Sequence, residues 1–202
     1  MTSLWLAPEP LVIASRSAVR CAVLQAAGIP VEVRPADIDE RRIEAATPAA
    51  GPGEVAALLA REKARTVAAV MPGRLVLGAD QTLALGTRRF SKPGDDRAAR
   101  EQLQALRGRT HELHSAVAVV RDGTILYDRV EVARLTMRAF SDAFLDRYIA
   151  TAGAAVTASV GGYQLERIGI HLFSRIEGDH FTVLGLPLLP LLESLREQGF
   201  VA

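Results

Sequence analysis

The stretch LVIASRSAVRCAVL, residues 11–24, decides the fold because it changes from one kind of secondary structure to another. Leu11 to Ala14 form an apolar run that predicts a buried strand. Ser17 is a favourable helix N-cap, so the residues after it predict a helix over 18–27. Gly28 stands where helices commonly end with a left-handed glycine. The sequence therefore predicts a strand that turns sharply into a helix.

Polar side chains are concentrated at this corner. Ser15, Arg16 and Ser17 lie between the strand and the helix, and Arg20 follows one turn later. A helix N-terminus offers unpaired N–H groups to an anion, and hydroxyl and guanidinium groups add donors that suit phosphate. A capping serine with two solvated arginines would give the same pattern. The glycines and the Gly-Lys-Ser/Thr ending of a P-loop are absent.

The rest of the chain predicts an α/β protein with a mixed sheet, because strands and helices alternate early and an antiparallel pair follows. A turn at Asp122-Gly123 joins the two strands of that pair. The other predicted elements are a strand over 29–35, a helix over 54–70, a strand over 74–80 that ends in Asp80, helices over 95–107 and 141–151, a strand-turn-strand unit over 170–187 and a helix over 188–199.

Composition narrows the class of protein. The 202 residues are 49% hydrophobic and 23% charged, with a formal net charge of +1, which argues against a protein that coats nucleic acid. Cys21 is the single cysteine, which suits a reducing cytoplasm. The start, MTSLWLAPEP, lacks the features of a signal peptide, and no stretch reaches the roughly 18 apolar residues that span a bilayer. We expect a cytoplasmic protein without nucleic-acid or membrane partners.

Two charged residues next to apolar segments are candidates for chemistry. Asp80 follows the apolar strand Leu75–Ala79, and a carboxylate at the end of a strand can hold Mg²⁺ or activate a water. An ordinary turn aspartate would look the same. Lys92 precedes a proline, which restricts its backbone to extended conformations and helps to aim its ammonium group at a phosphate. A solvated loop lysine is the alternative.

An acidic set forms a third candidate. Asp37, Asp39 and Glu40 lie in one loop, and Glu62 lies beside Lys63 in the predicted long helix. Carboxylates that face a cluster of arginine and lysine side chains can carry metal ions that bridge phosphates. A solvated acidic loop is the alternative explanation.

Together these stretches resemble the Maf family of nucleoside triphosphate pyrophosphatases. The resemblance covers nearly the whole chain, in order. The blocks that carry it are LVIASRSAVRCAVLQAAGIPVEV (11–33), DIDE (37–40), LAREKA (59–64), VLGADQ (76–81), SKP (91–93), LRGRTHELHSAVAVV (106–120) and RIEGDHFTVLGLPL (175–188).

Several positions depart from the family pattern. Ala18 and Val19 stand where Pro-Arg is usual, and Ser159 stands where a lysine is usual. Gln81 replaces the threonine typical of members that act on dTTP and UTP, and Glu166 replaces a glutamine. Gln81 and Glu166 together resemble the branch that acts on 7-methyl-GTP, whereas Val19 fits neither branch.

The resemblance implies a single Maf-like domain over 1–202, built as a mixed, elongated twisted sheet flanked by helices in two lobes around a central cleft, like inosine triphosphate pyrophosphatase. It also implies hydrolysis between the α- and β-phosphates of (d)NTPs, with modified nucleotides among the candidate substrates, and a homodimer. The alternative is a nucleotide-binding regulator with little hydrolytic activity.

The resemblance and the residues together give each candidate a role. Asp80 is the expected catalytic residue that activates water, and Lys92 the catalytic cation that stabilises the leaving pyrophosphate. A divalent cation, Mg²⁺ or Mn²⁺, is the expected cofactor, with Glu40 as a candidate ligand. The expected substrate-binding residues are Ser15, Ser17, Arg20 and Lys63 for phosphate, and Val19, Gln81 and Glu166 for the base.

Overall fold

The computed structural model describes residues 3–202. The N-terminal stretch in which no signal peptide is predicted begins with two residues that lie outside the described part. The strands are β1 (Leu11–Ile13), β2 (Val31–Val33), β3 (Val76–Leu85), β4 (Arg88–Phe90), β5 (Thr110–Arg121), β6 (Thr124–Met137) and β7 (Phe173–Glu177). The helices are α1 (Ala18–Ala26), α2 (Glu40–Ala45), α3 (Pro52–Ala68), α4 (Asp96–Leu106), α5 (Asp142–Ala152), α6 (Ala155–Ala158), α7 (His180–Val183) and α8 (Leu188–Glu197). Short 3₁₀ turns occupy Val160–Gly162 and Ile168–Leu172.

The strands form one mixed sheet in the order β2-β1-β3-β5-β6-β7, with β4 paired to β3. β1 is parallel to both β2 and β3, and the remaining pairs are antiparallel. The predicted mixed α/β sheet is therefore confirmed. The predicted turn at Asp122-Gly123 is also confirmed, because it joins β5 to β6.

Local capping signals place the early helices. The Ser17 side chain accepts from the Arg20 backbone N–H and begins α1, and Gly28 takes a φ of 77° just after the helix. α3 begins with Pro52 in its first turn, and Glu54 accepts from the Gly51 backbone N–H at 2.7 Å. The predicted strand-to-helix corner at residues 11–28 is therefore confirmed.

Three predictions of secondary structure are corrected. Asp80 does not end a strand: it is the fifth of ten residues in β3, opposite Ala116 of β5. The acidic loop is partly helical, because Asp39 caps α2 through the Arg42 backbone N–H at 3.0 Å. The predicted strand over 180–187 is replaced by α7, since Asp179 caps the Thr182 backbone N–H at 2.9 Å and starts a helical turn.

Helix α3 packs unusually close to the centre of the sheet. At Gly78 in β3, an added Cβ would lie 2.0 Å from the Ala60 carbonyl oxygen and 2.8 Å from the Ala64 nitrogen. Only glycine allows this approach, which brings the α3 side chains next to β3. The apolar cluster there contains Val12, Ala56, Ala60, Ala64, Val67, Val76 and Ala116. Within residues 3–202, no helix is long and apolar enough to cross a bilayer.

Candidate active site

A single cavity of about 810 Å³ brings the predicted site residues together. It is lined by the β1–α1 corner, by α2, α3 and β3, by the segment after β4, and by residues 158–166 and 183–184. Every residue proposed from the sequence as part of the site lines it: Ser15, Ser17, Val19, Arg20, Glu40, Lys63, Asp80, Gln81, Lys92 and Glu166. Distant segments of the chain therefore meet in one cleft.

The β1–α1 corner holds its hydroxyl groups in a fixed network. The Ser15 Oγ accepts from the Ser17 backbone N–H at 3.2 Å and from Arg20 Nη1 at 3.2 Å. The Ser17 Oγ accepts from the Arg20 backbone N–H at 3.3 Å. A hydroxyl has one donor and two acceptor sites, so both serines keep their O–H as a donor. The corner therefore offers two oriented O–H groups to an anion in the cavity.

Arg20 is largely engaged by the protein itself. Its Nε donates to the Gly185 carbonyl at 2.8 Å, and its Nη1 donates to the Ala79 carbonyl at 2.8 Å. Burial lowers the pKa of the Arg20 guanidinium from its usual value, and the neighbouring Asp80 opposes that shift. These bonds join α1, β3 and the segment after α7. Two of the three guanidinium nitrogens, Nε and Nη1, therefore bind other parts of the protein.

Lys63 of α3 lies between two carboxylates. Its Nζ is 2.6 Å from Asp80 Oδ1 and 2.8 Å from Glu40 Oε1. The Lys63 and Asp80 side chains are 11% and 10% exposed, so this ion pair is buried, whereas half of the Glu40 side chain is exposed. The close packing of α3 at Gly78 makes this contact possible. It explains how a carboxylate is tolerated in the middle of a central strand.

Lys92 differs from Lys63 in its position, its exposure and its ion pairing. It follows β4 on the rim of the cavity, and its side chain is exposed. Among residues 3–202, no carboxylate lies within ion-pair distance of its ammonium group. The charge of Lys92 is therefore available to a ligand.

Gln81 connects the sheet to the segment that contains α7. Its Nε2 lies 2.9 Å from the Ser115 Oγ, 3.2 Å from the Thr182 carbonyl and 3.1 Å from the Val183 carbonyl. Carbonyl oxygens only accept, so the nitrogen must face them, and the Gln81 Oε1 remains as an acceptor beside the cavity. The Ser115 Oγ also donates to the Thr182 carbonyl at 2.7 Å.

Residues 158–166 form a further part of the cavity lining. Glu166 is exposed there. Tyr163 is buried, and its hydroxyl lies 2.7 Å from Nε2 of His111. Burial lowers the pKa of His111 to about 4 and raises that of Tyr163. The Ser159 hydroxyl donates to the Tyr163 carbonyl and so stabilises the turn between these residues. Ser159 is the residue that departs from the lysine of the resembled pattern.

Some residues that line the cavity were not predicted from the sequence, among them Tyr163, Arg41 and Arg89. Arg89 lies in β4, and its Nη2 is 3.9 Å from Glu44 Oε2 of α2. An arginine beside a turn in a short edge strand is usually solvated, so the neighbouring residues gave no reason to predict Arg89 as part of the site. Tyr163 carried only a weak signal, as part of a block in which other positions depart from the family pattern.

Comparison with known proteins assigns the chain to a family. The model for Maf-like proteins matches residues 10–198. A protein of Rhodopseudomonas palustris (strain ATCC BAA-98 / CGA009) named nucleoside triphosphate pyrophosphatase is 58% identical over 200 residues, which are 99% of both chains. A protein of Mesorhizobium japonicum named 7-methyl-GTP pyrophosphatase is 51% identical over 195 residues, which are 96% of this chain and 98% of that protein.

Solved structures show a more distant similarity. A Ham1 protein from Coxiella burnetii is 16% identical, with a TM-score of 0.42 over 65% of this chain and 74% of that one. A Ham1 protein from Staphylococcus aureus is 15% identical, with a TM-score of 0.43 over 65% of this chain and 73% of that one.

Proposed function

Because the chain belongs to the family of Maf-like proteins, we propose that it is a nucleoside triphosphate pyrophosphatase that releases a nucleoside monophosphate and pyrophosphate. The observation that carries this proposal is the single cavity that contains Ser15, Ser17, Lys63, Asp80 and Lys92. Hydroxyl donors, cations and a buried carboxylate in one cleft are the groups that bind a triphosphate and direct water to it.

Phosphate binding is assigned to the β1–α1 corner. The O–H groups of Ser15 and Ser17 donate to phosphate oxygens, and Arg20 holds Ser15 in place while its Nη2 adds a donor. Lys92 supplies an uncompensated positive charge at the rim. Val19 cannot replace the charge of the arginine that is usual at its position, so Lys92 carries more of the neutralisation here.

The chemical step is assigned to Asp80. A water oxygen attacks the α-phosphorus, the bond from that phosphorus to the bridging oxygen breaks, and pyrophosphate leaves with the bonding electron pair. The Asp80 carboxylate accepts the proton of the attacking water. Its Oδ1 is held by Lys63 at 2.6 Å, so we assign the proton to Oδ2. Lys92 stabilises the negative charge that develops on pyrophosphate.

A divalent cation, Mg²⁺ or Mn²⁺, is part of the proposal. No group of three or more Asp, Glu, His or Cys side chains that could hold a metal ion occurs in the part of the chain that the structure describes. Mg²⁺ is commonly bound by one or two carboxylates together with substrate phosphates, and the half-exposed Glu40 carboxylate beside Lys63 would supply one of them. Such a cation, when bound, neutralises charge on the phosphate oxygens.

Base recognition is assigned to Val19, Gln81 and Glu166. The Glu166 carboxylate is an acceptor suited to the N–H groups of a guanine edge, and the Gln81 Oε1 adds another. A positively charged, methylated guanine would gain further from the Glu166 charge. The relative named 7-methyl-GTP pyrophosphatase supports this choice, so we propose a modified guanine nucleotide as the preferred substrate.

The cysteine content and the proposed activity together suggest where the protein acts and what it is for. A lone cysteine fits a reducing cytoplasm, and removal of modified nucleotides would be a house-cleaning reaction. We propose that one domain spans the chain, with lobes on either side of the cavity, and that two chains form a homodimer.

A screen of canonical and modified nucleoside triphosphates, with Mg²⁺ or Mn²⁺ and with detection of pyrophosphate, tests the proposal. Equimolar nucleoside monophosphate and pyrophosphate are expected. Nucleotide affinity without pyrophosphate release would instead identify a binding regulator, which is the function that the loss of arginine at Val19 and of lysine at Ser159 would favour.

A further inference from the structure

Arg89 is a charged residue of the cavity to which the proposed mechanism gives no role. It is the middle residue of β4 and pairs with Ala84 of β3. Its side chain is 26% exposed and lines the same cavity as Ser17 and Lys92. The neighbour Arg88 has a different environment: it is exposed and lies with its guanidinium carbon 4.5 Å above the Phe90 ring.

The guanidinium group of Arg89 is incompletely bonded. Its Nη1 is buried and has no hydrogen-bond partner within residues 3–202. Its Nη2 reaches Glu44 Oε2 only at 3.9 Å, which is an ionic contact beyond hydrogen-bond distance. A buried donor of a charged group without an acceptor is unfavourable, so the Arg89 guanidinium gains from any acceptor that enters the cavity beside it. The parallel donors of guanidinium match two oxygens of one phosphate.

Helix α2 relates Arg89 to the proposed catalytic carboxylate. Glu40, at the start of α2, binds Lys63 at 2.8 Å, and Lys63 binds Asp80. Glu44 lies four residues later and faces Arg89. Four residues of α-helix correspond to a rise of about 6 Å. Glu40 and Glu44 thus place the Lys63–Asp80 pair and Arg89 against successive turns of α2, at different positions along the same cavity.

We propose that Arg89 binds the terminal phosphate of the substrate and makes the site prefer nucleoside triphosphates to diphosphates. This inference rests on the proposed function and adds a residue that sets the required number of phosphates. Asp80 and Lys63 then act at the α-phosphate while Arg89 holds the far end of the chain. The weak contact with Glu44 orients the guanidinium without forming a full hydrogen bond to its Nη2.

The test compares the binding of two analogues that carry a methylene group between the α- and β-phosphates, one a guanosine triphosphate and the other the matching diphosphate. Calorimetry with Mg²⁺ is performed on the wild type, on R89Q and on R88Q. Loss of charged hydrogen bonds is expected to weaken triphosphate binding by R89Q about 10- to 100-fold, with diphosphate binding unchanged. R88Q is the matched control, because it removes the same charge from a residue outside the cavity lining, and it is expected to bind both analogues like the wild type.

Two results would overturn the inference. R89Q could bind the triphosphate analogue like the wild type, or it could lose affinity for both analogues equally. Thermal unfolding of R89Q confirms that the variant is folded. Pyrophosphate release by the wild type is measured in parallel, so a failure of the proposed function would be seen there, separately from the phosphate preference.

Discussion

Two parts of the cavity lining are built in different ways. One part, here called the sheet wall, consists of Ser15, Arg20, Lys63, Asp80 and Gln81, whose polar groups bind other parts of the protein. The other part, here called the loop wall, presents Lys92 and Glu166, which are exposed. Neither of these two side chains forms an ion pair within residues 3–202.

This difference indicates that the sheet wall holds its groups in fixed positions, whereas the loop wall can adapt to a ligand. The sheet wall is rigid before substrate arrives, because each of its charged groups already has a partner. The charges of the loop wall have no ion-pair partner among the described residues. Substitutions in the sheet wall should therefore change both stability and turnover, whereas substitutions in the loop wall should change only turnover or substrate choice.

The largest effect is expected at the centre of the sheet wall. Asp80→Asn removes the group that accepts the proton of water, and turnover should fall about 10²- to 10³-fold or more. The amide keeps an oxygen near Lys63, so the fold should survive. Initial rates of pyrophosphate release and a thermal melt check this. Ordinary turnover by folded Asp80→Asn protein would remove Asp80 from its assigned role.

The two lysines give the sharpest contrast between the walls. Lys92→Ala should reduce turnover about 10²-fold, because it removes the free cation that stabilises pyrophosphate. The same substitution should change the free energy of unfolding by less than about 0.5 kcal/mol, since Lys92 is exposed and unpaired among the described residues.

Lys63→Met is the matched variant in the sheet wall. It leaves the buried Asp80 carboxylate without its ammonium partner, so unfolding should become easier by about 3 kcal/mol. Urea denaturation of both lysine variants measures the difference. Equal stability of the two variants would show that the walls do not differ as described.

A pH effect is expected where His111 supports Tyr163 under the loop wall. Burial lowers the pKa of His111 from 6.5 to about 4, so the unfolded chain binds the extra proton between these values. Stability from the neutral imidazole is complete above pH 6.5 and is lost as the pH falls toward 4, by about 2–3 kcal/mol.

His111→Gln keeps a hydrogen-bonding group near the Tyr163 hydroxyl but does not titrate. The variant should therefore lose less stability than the wild type between pH 7 and pH 4.5, as measured by urea denaturation at both values. Identical losses in the two proteins would mean that His111 does not cause the acid sensitivity.

The smallest effect is expected at Glu166. Glu166→Gln removes one negative charge from an exposed position, so the relative rates for different bases should shift by a few-fold while the fold stays unchanged. Rates across a panel of triphosphates provide the measurement. An unchanged order of substrates would exclude Glu166 from base recognition.

Local patterns predicted the parts of the fold that depend on neighbouring residues. The strand-to-helix corner followed from Ser17 and Gly28, and the long hairpin from Asp122-Gly123. The place of Asp80 inside β3 could not be predicted, because its partner Lys63 reaches it only after α3 packs at Gly78. The roles assigned to the site residues remain predictions.

Two other features could be recognised only in the tertiary structure. Asp179 turns an apolar segment into α7 by capping it, and this outweighed the β-like pattern of residues 180–187. Arg89 looked like a surface residue in the sequence, and only the tertiary structure shows its buried Nη1 and its contact with Glu44 of α2.

We propose that water bound in the cavity attacks the α-phosphorus of a nucleoside triphosphate. Hydrolysis in ¹⁸O-labelled water with Mg²⁺, followed by mass spectrometry of the products, identifies the phosphorus that is attacked. One ¹⁸O atom in the nucleoside monophosphate and unlabelled pyrophosphate are expected. Label in pyrophosphate, or release of orthophosphate as the first product, would exclude attack at the α-phosphorus.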